Sequence, residues 1–170
     1  MPIRKEPQTR WAWVEIDQGA LRRNTRAFKN LLGPRQRLCC VVKADAYGHG
    51  APQCAKIMQA AGADMLAVAT VAEGVELRRS GISAPVLVLN EPPLTAIDTL
   101  LEHQIMPSLY TSEFAMAYGE RAVQLGCVGK YHMAIETGMN RIGVHYADVL
   151  DFRREIDFHR GIACDGVFTH

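Results

Sequence analysis

The stretch Leu38-Cys-Cys-Val-Val-Lys-Ala-Asp-Ala-Tyr-Gly-His-Gly50 decides the fold. Leu38 to Val42 is apolar without alternation, which predicts a short strand buried on both faces, as in a parallel sheet. Lys43 follows at once, ahead of a loop punctuated by Gly48 and Gly50. The carboxyl ends of parallel strands are where α/β proteins assemble their chemistry. An amine at that mouth can form an imine with a carbonyl group if desolvation or a neighbouring charge lowers its pKa. Taken alone, a strand-end lysine more often snorkels to water.

Working outward, the same strand-and-helix unit recurs. Pro52 suits the first turn of a helix that runs to Ala61, and Gly62 ends it. Met65–Val68, Val86–Leu89, Ile105–Ser108, Tyr131–Ile135 and Ala163–Phe168 read as further strands. Between them, helices are expected from Thr70 to Arg79, Leu94 to Leu101, Thr111 or Ser112 to Leu125, and Ala147 to Phe158. Thr70 and Glu73 have the spacing of a capping box. Ahead of the series, Trp13–Ile16 could be an extra strand, with Asp17 capping a helix through Phe28. Strands about 20 to 30 residues apart fit βαβ units, hence a (β/α) barrel or a doubly wound sheet. Neither G-x-G-x-x-G nor a Walker A pattern is present, so a nucleotide site is poorly supported.

Bulk properties narrow the class. The 170 residues are 48% hydrophobic and 22% charged, with a net charge of +1. That describes a globular domain without an electrostatic footprint for nucleic acid or an anionic membrane. No apolar run approaches the roughly 20 residues that span a bilayer, and Met1–Arg10 lacks the apolar core of a signal peptide. The five cysteines form no C-x-x-C pair. They read as reduced core residues of a cytoplasmic protein, not as a metal site.

Two more groups fall at expected strand ends. Glu136-Thr137-Gly138-Met139-Asn140-Arg141-Ile142-Gly143 follows the Tyr131–Ile135 strand, and Arg141 offers a planar fork of donors to an oxyanion. Thr169-His170 ends the last strand. Beside Lys43, the Tyr47 hydroxyl can reach a phosphate or carboxylate, and His49 could contribute.

Together these segments resemble the alanine racemases. Val41–Gly50 resembles that family's pyridoxal-phosphate lysine motif, and the 136–143 segment its Thr-Gly-Met-x-Arg-x-Gly signature; the likeness runs from about Trp11 to the last residue. It implies a fold-type III pyridoxal 5'-phosphate barrel of the TIM type, of which the chain carries about six of the usual eight strands. Residues 1–170 would then be the N-terminal portion of the barrel domain, without the family's β-rich C-terminal domain. By position, the resemblance makes Lys43 the Schiff-base lysine and the base on one face of the substrate. Tyr47 becomes a phosphate ligand, Arg141 a contact of the cofactor's phenolic oxygen and the substrate carboxylate, and His170 a support for the ring. It further implies a cytoplasmic enzyme that interconverts L- and D-alanine for the cell wall and is a homodimer at full length. The phosphate loops, the arginine on the pyridine nitrogen and the partner subunit's tyrosine base lie outside these residues, so the chain alone is expected to be inactive. Two positions depart from the family. A lysine frequent seven residues before the arginine is Ala134, and the usual aspartate of the signature is Glu136. Alternatives on the same barrel are a serine or broad-specificity racemase, a related decarboxylase, and a non-catalytic pyridoxal-phosphate-binding barrel protein.

Overall fold

The computed structural model describes residues 12–170. Seven strands form one parallel sheet: β1 (Cys39–Val41), β2 (Met65–Val68), β3 (Val86–Val88), β4 (Ile105–Leu109), β5 (Gly129–Glu136), β6 (Val144–His145) and β7 (Ile162–Thr169). Spatial order follows chain order from β1 to β5, and β7 then pairs with β5, while two-residue β6 joins only the end of β5. A doubly wound sheet would reverse direction at a switch point. This one never reverses, so it is the wall of a barrel, incomplete between β7 and β1.

The register shows which face is the barrel interior. Val41, Ala67, Leu87 and Met106 lie side by side across β1 to β4. Ala67, Leu87 and Met106 form a small buried cluster, with Phe168 of β7 packed against it. The alternate residues Leu66, Val68, Val86, Val88, Ile105, Tyr131 and Met133 face the helices and join the main core. Those helices are α1 (Gln18–Leu31), α2 (Ala51–Ala60), α3 (Val71–Arg79), α4 (Ile97–Glu102, led by a 3-10 turn), α5 (Ser112–Gln124) and α6 (Val149–Ile156). They contribute Leu77, Leu100, Phe114, Tyr118, Phe152 and Ile156 to that core. Each large side chain buried there stabilises the fold by roughly 1.5–3 kcal/mol.

Caps place the helices as expected. Asp17 accepts a hydrogen bond from Ala20 N at 2.9 Å, and Thr70 with Glu73 completes a reciprocal capping box. Polar side chains then tie neighbouring strand ends together at the carboxyl rim. Asn90 after β3 donates to Ala69 O after β2 at 3.2 Å. The Glu91 carboxylate accepts from Tyr110 N and Thr111 N after β4, at 2.8 and 2.9 Å. At the opposite rim the chemistry inverts. The half-buried Arg78 guanidinium donates to the carbonyls of Ile82, Ala84, His103 and Gln104. The carboxyl rim, where helices begin, presents spare N–H groups; the amino rim, where helices end, presents spare carbonyls.

Three expectations need correction. Residues 13–16 form no strand: Trp13 and Val14 are exposed, no strand among the described residues pairs with them, and the Trp13 indole donates to Glu15 instead. The cysteines are free thiols but mostly not core residues. Cys54 is buried, whereas Cys39, Cys127 and Cys164 are exposed on an edge strand, a turn and the other edge strand. Burial on both faces holds for β3 and β4 but not for β1 and β7, because each of these two has a neighbour on one side only.

Candidate functional site

Lys43 leaves β1 half-buried, directly after Val42, whose amide still bonds Ala67 O at 2.8 Å and whose side chain is fully buried. The following backbone is not an open glycine loop, as the sequence suggested. Ala44, Asp45, Ala46 and Tyr47 all have φ between 51° and 55°, a complete left-handed turn of L-residues. Each such residue costs roughly 1–2 kcal/mol. Strain of that kind persists only where the surroundings hold it, and it concentrates at functional sites.

The surroundings here are specific. Ala46 N bonds Val42 O at 2.9 Å, and buried Ala46 anchors the turn's inner side. The Asp45 carboxylate accepts from Ala51 N at 2.6 Å, joining the turn to the start of α2. His49 presents Nδ1 to Ala46 O at 2.9 Å, so that nitrogen carries the proton and the ring braces the turn. Glu73 reaches over from α3. Its Oε1 accepts from Ala44 N at 2.7 Å, and its Oε2 from Ala69 N at 2.7 Å and Thr70 N at 3.1 Å. The exposed Tyr47 ring lines a cleft of about 370 Å³ with Val41, His49, Cys54 and the start of α1.

Arg141 sits on the loop between β5 and β6. That loop is organised by Glu136, whose carboxylate turns back to accept from Gly138 N and Arg141 N. The amides of Asn140 and Gly138 hold its carboxyl below the usual carboxylate range. Glu136 thus holds the backbone of Arg141, while Ala134, two residues earlier in β5, is buried. Gly143, at φ 110°, brings the chain back so close that an added Cβ would lie 2.8 Å from Glu136 N. That approach lets β6 pair with Ile135 and Glu136.

His170 follows β7 and shares a cleft with Arg141, Glu136 and Phe168. The Thr137 and Thr169 hydroxyls meet across its mouth at 2.5 Å. The structure therefore brings Arg141 and His170 together, and Tyr47 and His49 together. Lys43 lies on the same carboxyl rim, at the far edge of the sheet from His170. Sequence reasoning missed Glu73 as a site residue. Its capping-box spacing was visible, but its bond to the residue after Lys43 depends on β1 lying beside β2.

The family model described as alanine racemase, N-terminal domain, matches residues 16–170. The chain belongs to the alanine racemase family. The Synechocystis alanine racemase is 44% identical over 144 residues, which cover 83% of this chain and 38% of that enzyme. The alanine racemase of Bacillus anthracis, solved with bound L-Ala-P, superposes with a TM-score of 0.84 at 34% identity, over 97% of this chain and 43% of that one. A histidine racemase from Leuconostoc mesenteroides superposes with a TM-score of 0.81 at 27% identity, over 90% of this chain and 41% of that one. The chain thus spans about 40% of the length of its relatives. Alanine racemase-family proteins depend on pyridoxal phosphate, and the residue types at the carboxyl rim suit that group: the half-buried Lys43 amine can condense with an aldehyde, and the Arg141 guanidinium can pair with an oxyanion. Among the described residues no helix is long and apolar enough to cross a membrane.

Proposed function

We propose that this chain supplies the lysine face of a pyridoxal-phosphate-dependent alanine racemase. The observation that carries the reading is Lys43 at the carboxyl end of β1, fixed between a buried strand residue and a strained turn. Lys43 would hold the cofactor's aldehyde carbon, Tyr47 its phosphate, Arg141 its phenolic oxygen and the substrate carboxylate, and His170 the ring. When bound, the cofactor supplies an electron sink that acidifies the substrate Cα–H. Lys43 then takes or returns the proton at Cα on one face, as base or acid. Racemisation needs a second group on the opposite face, which the family's second domain would bring from a partner subunit. The setting is a cytoplasmic homodimer that makes D-alanine for the cell wall.

The test is borohydride treatment of the chain with pyridoxal phosphate, followed by peptide mapping. A fixed adduct concentrated on Lys43 supports the reading, and adducts spread over Lys29, Lys56 and Lys130 refute it. L-alanine added before borohydride should protect Lys43 better than serine or histidine does. The histidine racemase neighbour makes another amino acid the second reading, and stronger protection by that amino acid would favour it. Arg141→Lys keeps the charge and loses the fork. Protection by alanine should weaken about tenfold, the scale of one charge-assisted hydrogen bond, with the Lys43 adduct retained. Unchanged protection would remove Arg141 from the substrate site.

A further inference from the structure

Three amides converge on one side chain at the rim. Ala44 N, Ala69 N and Thr70 N all donate to the Glu73 carboxylate, the first to Oε1 and the other two to Oε2. Ala69 and Thr70 lie between β2 and α3, so these two bonds belong to the helix start that Glu73 caps. The bond to Ala44 does not. It crosses to the neighbouring strand end and grips the first residue of the left-handed turn, one peptide beyond Lys43. Both oxygens are needed, because the two sets of donors arrive from different chain segments. An amide side chain has a single carbonyl oxygen and would offer an N–H₂ to one set.

We infer that Glu73 is a positioning residue for Lys43, setting where the amine stands through the backbone of Ala44. The inference rests on the reading of Lys43 given above. Lys43 leaves a rigid strand and enters a conformation that L-residues avoid, so the peptide between Lys43 and Ala44 would relax if nothing held it. Val42 O secures the turn's far side through Ala46 N, and Glu73 secures its near side. No other hydrogen bond to Ala44 N is seen among the described residues. An ångström-scale displacement of a reacting group lowers rate steeply, by roughly 10- to 100-fold.

The experiment compares Glu73→Gln with Thr70→Ala in the same chain. Thr70→Ala removes the other half of the capping box and weakens the helix start, yet leaves the carboxylate on Ala44. Two readouts are taken: the rate of borohydride-fixed pyridoxal phosphate at Lys43, and hydrogen exchange of the Ala44 amide. Glu73→Gln should slow fixation at Lys43 by roughly tenfold or more and raise Ala44 exchange, while Thr70→Ala leaves both near the parental values. Equal losses in the two variants would mean that Glu73 acts only by capping α3, and the inference fails. Parental fixation in Glu73→Gln overturns it as well. If the parental chain gives no adduct at Lys43, the cofactor reading fails by itself, and Ala44 exchange decides the positioning role. Faster exchange in Glu73→Gln alone upholds the clamp; equal exchange in both variants overturns it.

Discussion

Lys43→Ala is expected to lower pyridoxal phosphate fixation at this rim by at least about a hundredfold, to the background of ordinary surface amines. The described residues hold no replacement nearby. Lys29 is paired with Asp64 at 2.5 Å, and Lys130 with Asp165 at 3.1 Å. Lys56 lies on the exposed side of α2. None of the three follows the carboxyl end of a strand: Lys29 and Lys56 lie in helices, and Lys130 lies near the start of β5. Stability should change by no more than about 0.5 kcal/mol, as for a substitution that opens no core cavity. Peptide mapping after borohydride gives the first quantity and urea unfolding the second. An adduct yield in Lys43→Ala equal to that of the parent would show that the aldehyde never depended on this amine.

Gly143→Ala should be the most damaging single methyl group in the site. The new Cβ would meet Glu136 N at 2.8 Å, the Ile135 carbonyl carbon at 2.9 Å and Ala134 O at 3.0 Å. All three are backbone atoms of β5, and none can rotate away. The residue also sits at φ 110°, which L-side chains avoid. Overpacking of this kind costs about 1–3 kcal/mol and the backbone conformation about 1–2 kcal/mol more. A loss of roughly 2–5 kcal/mol lowers Tm by roughly 4–20 °C in a domain of this size. Relief by moving the loop would unpair β6 and carry Arg141 away, so alanine should no longer protect Lys43. A Tm within one or two degrees of the parent, with alanine protection intact, would show that the loop has room that the geometry denies.

Much of the wall was legible because its signals are local. Met65–Val68 is an uninterrupted apolar run followed by a capping box, and it is a strand with those bounds. Thr70, Thr111 and Asp17 mark helix starts through their own hydroxyls and carboxylate. Lys43 and Arg141 stand out as candidates because ordered motifs surround them, whereas His170 is a candidate through the resemblance alone. What stayed hidden depends on distance in space or on disfavoured backbone. No propensity scale would place Ala44 to Tyr47 in a left-handed turn, since the residues themselves resist it. Strand β6 has two residues and exists because Gly143 permits the approach. Glu73 displays its helix cap in sequence and conceals its second duty. Exposed Cys39 and Cys164 lie on the two edge strands, which have a neighbour on one side only, a fact of topology that composition does not carry.

The left-handed turn also bears on the order of folding. An unfolded chain visits this conformation seldom at any one alanine, aspartate or tyrosine. At roughly 1–2 kcal/mol for each of its four residues, finding all of them there together is roughly a thousand- to a million-fold rarer. Nucleating structure from residues 44–47 is therefore unproductive, and the sheet must exist before they are recruited. Its parallel strands and the α2 and α3 helix starts form the mould, and the turn is cast against them last. The reverse journey begins at the same place: of the whole wall, this segment gains most by letting go, so the amine end loosens while the strands beneath it remain paired.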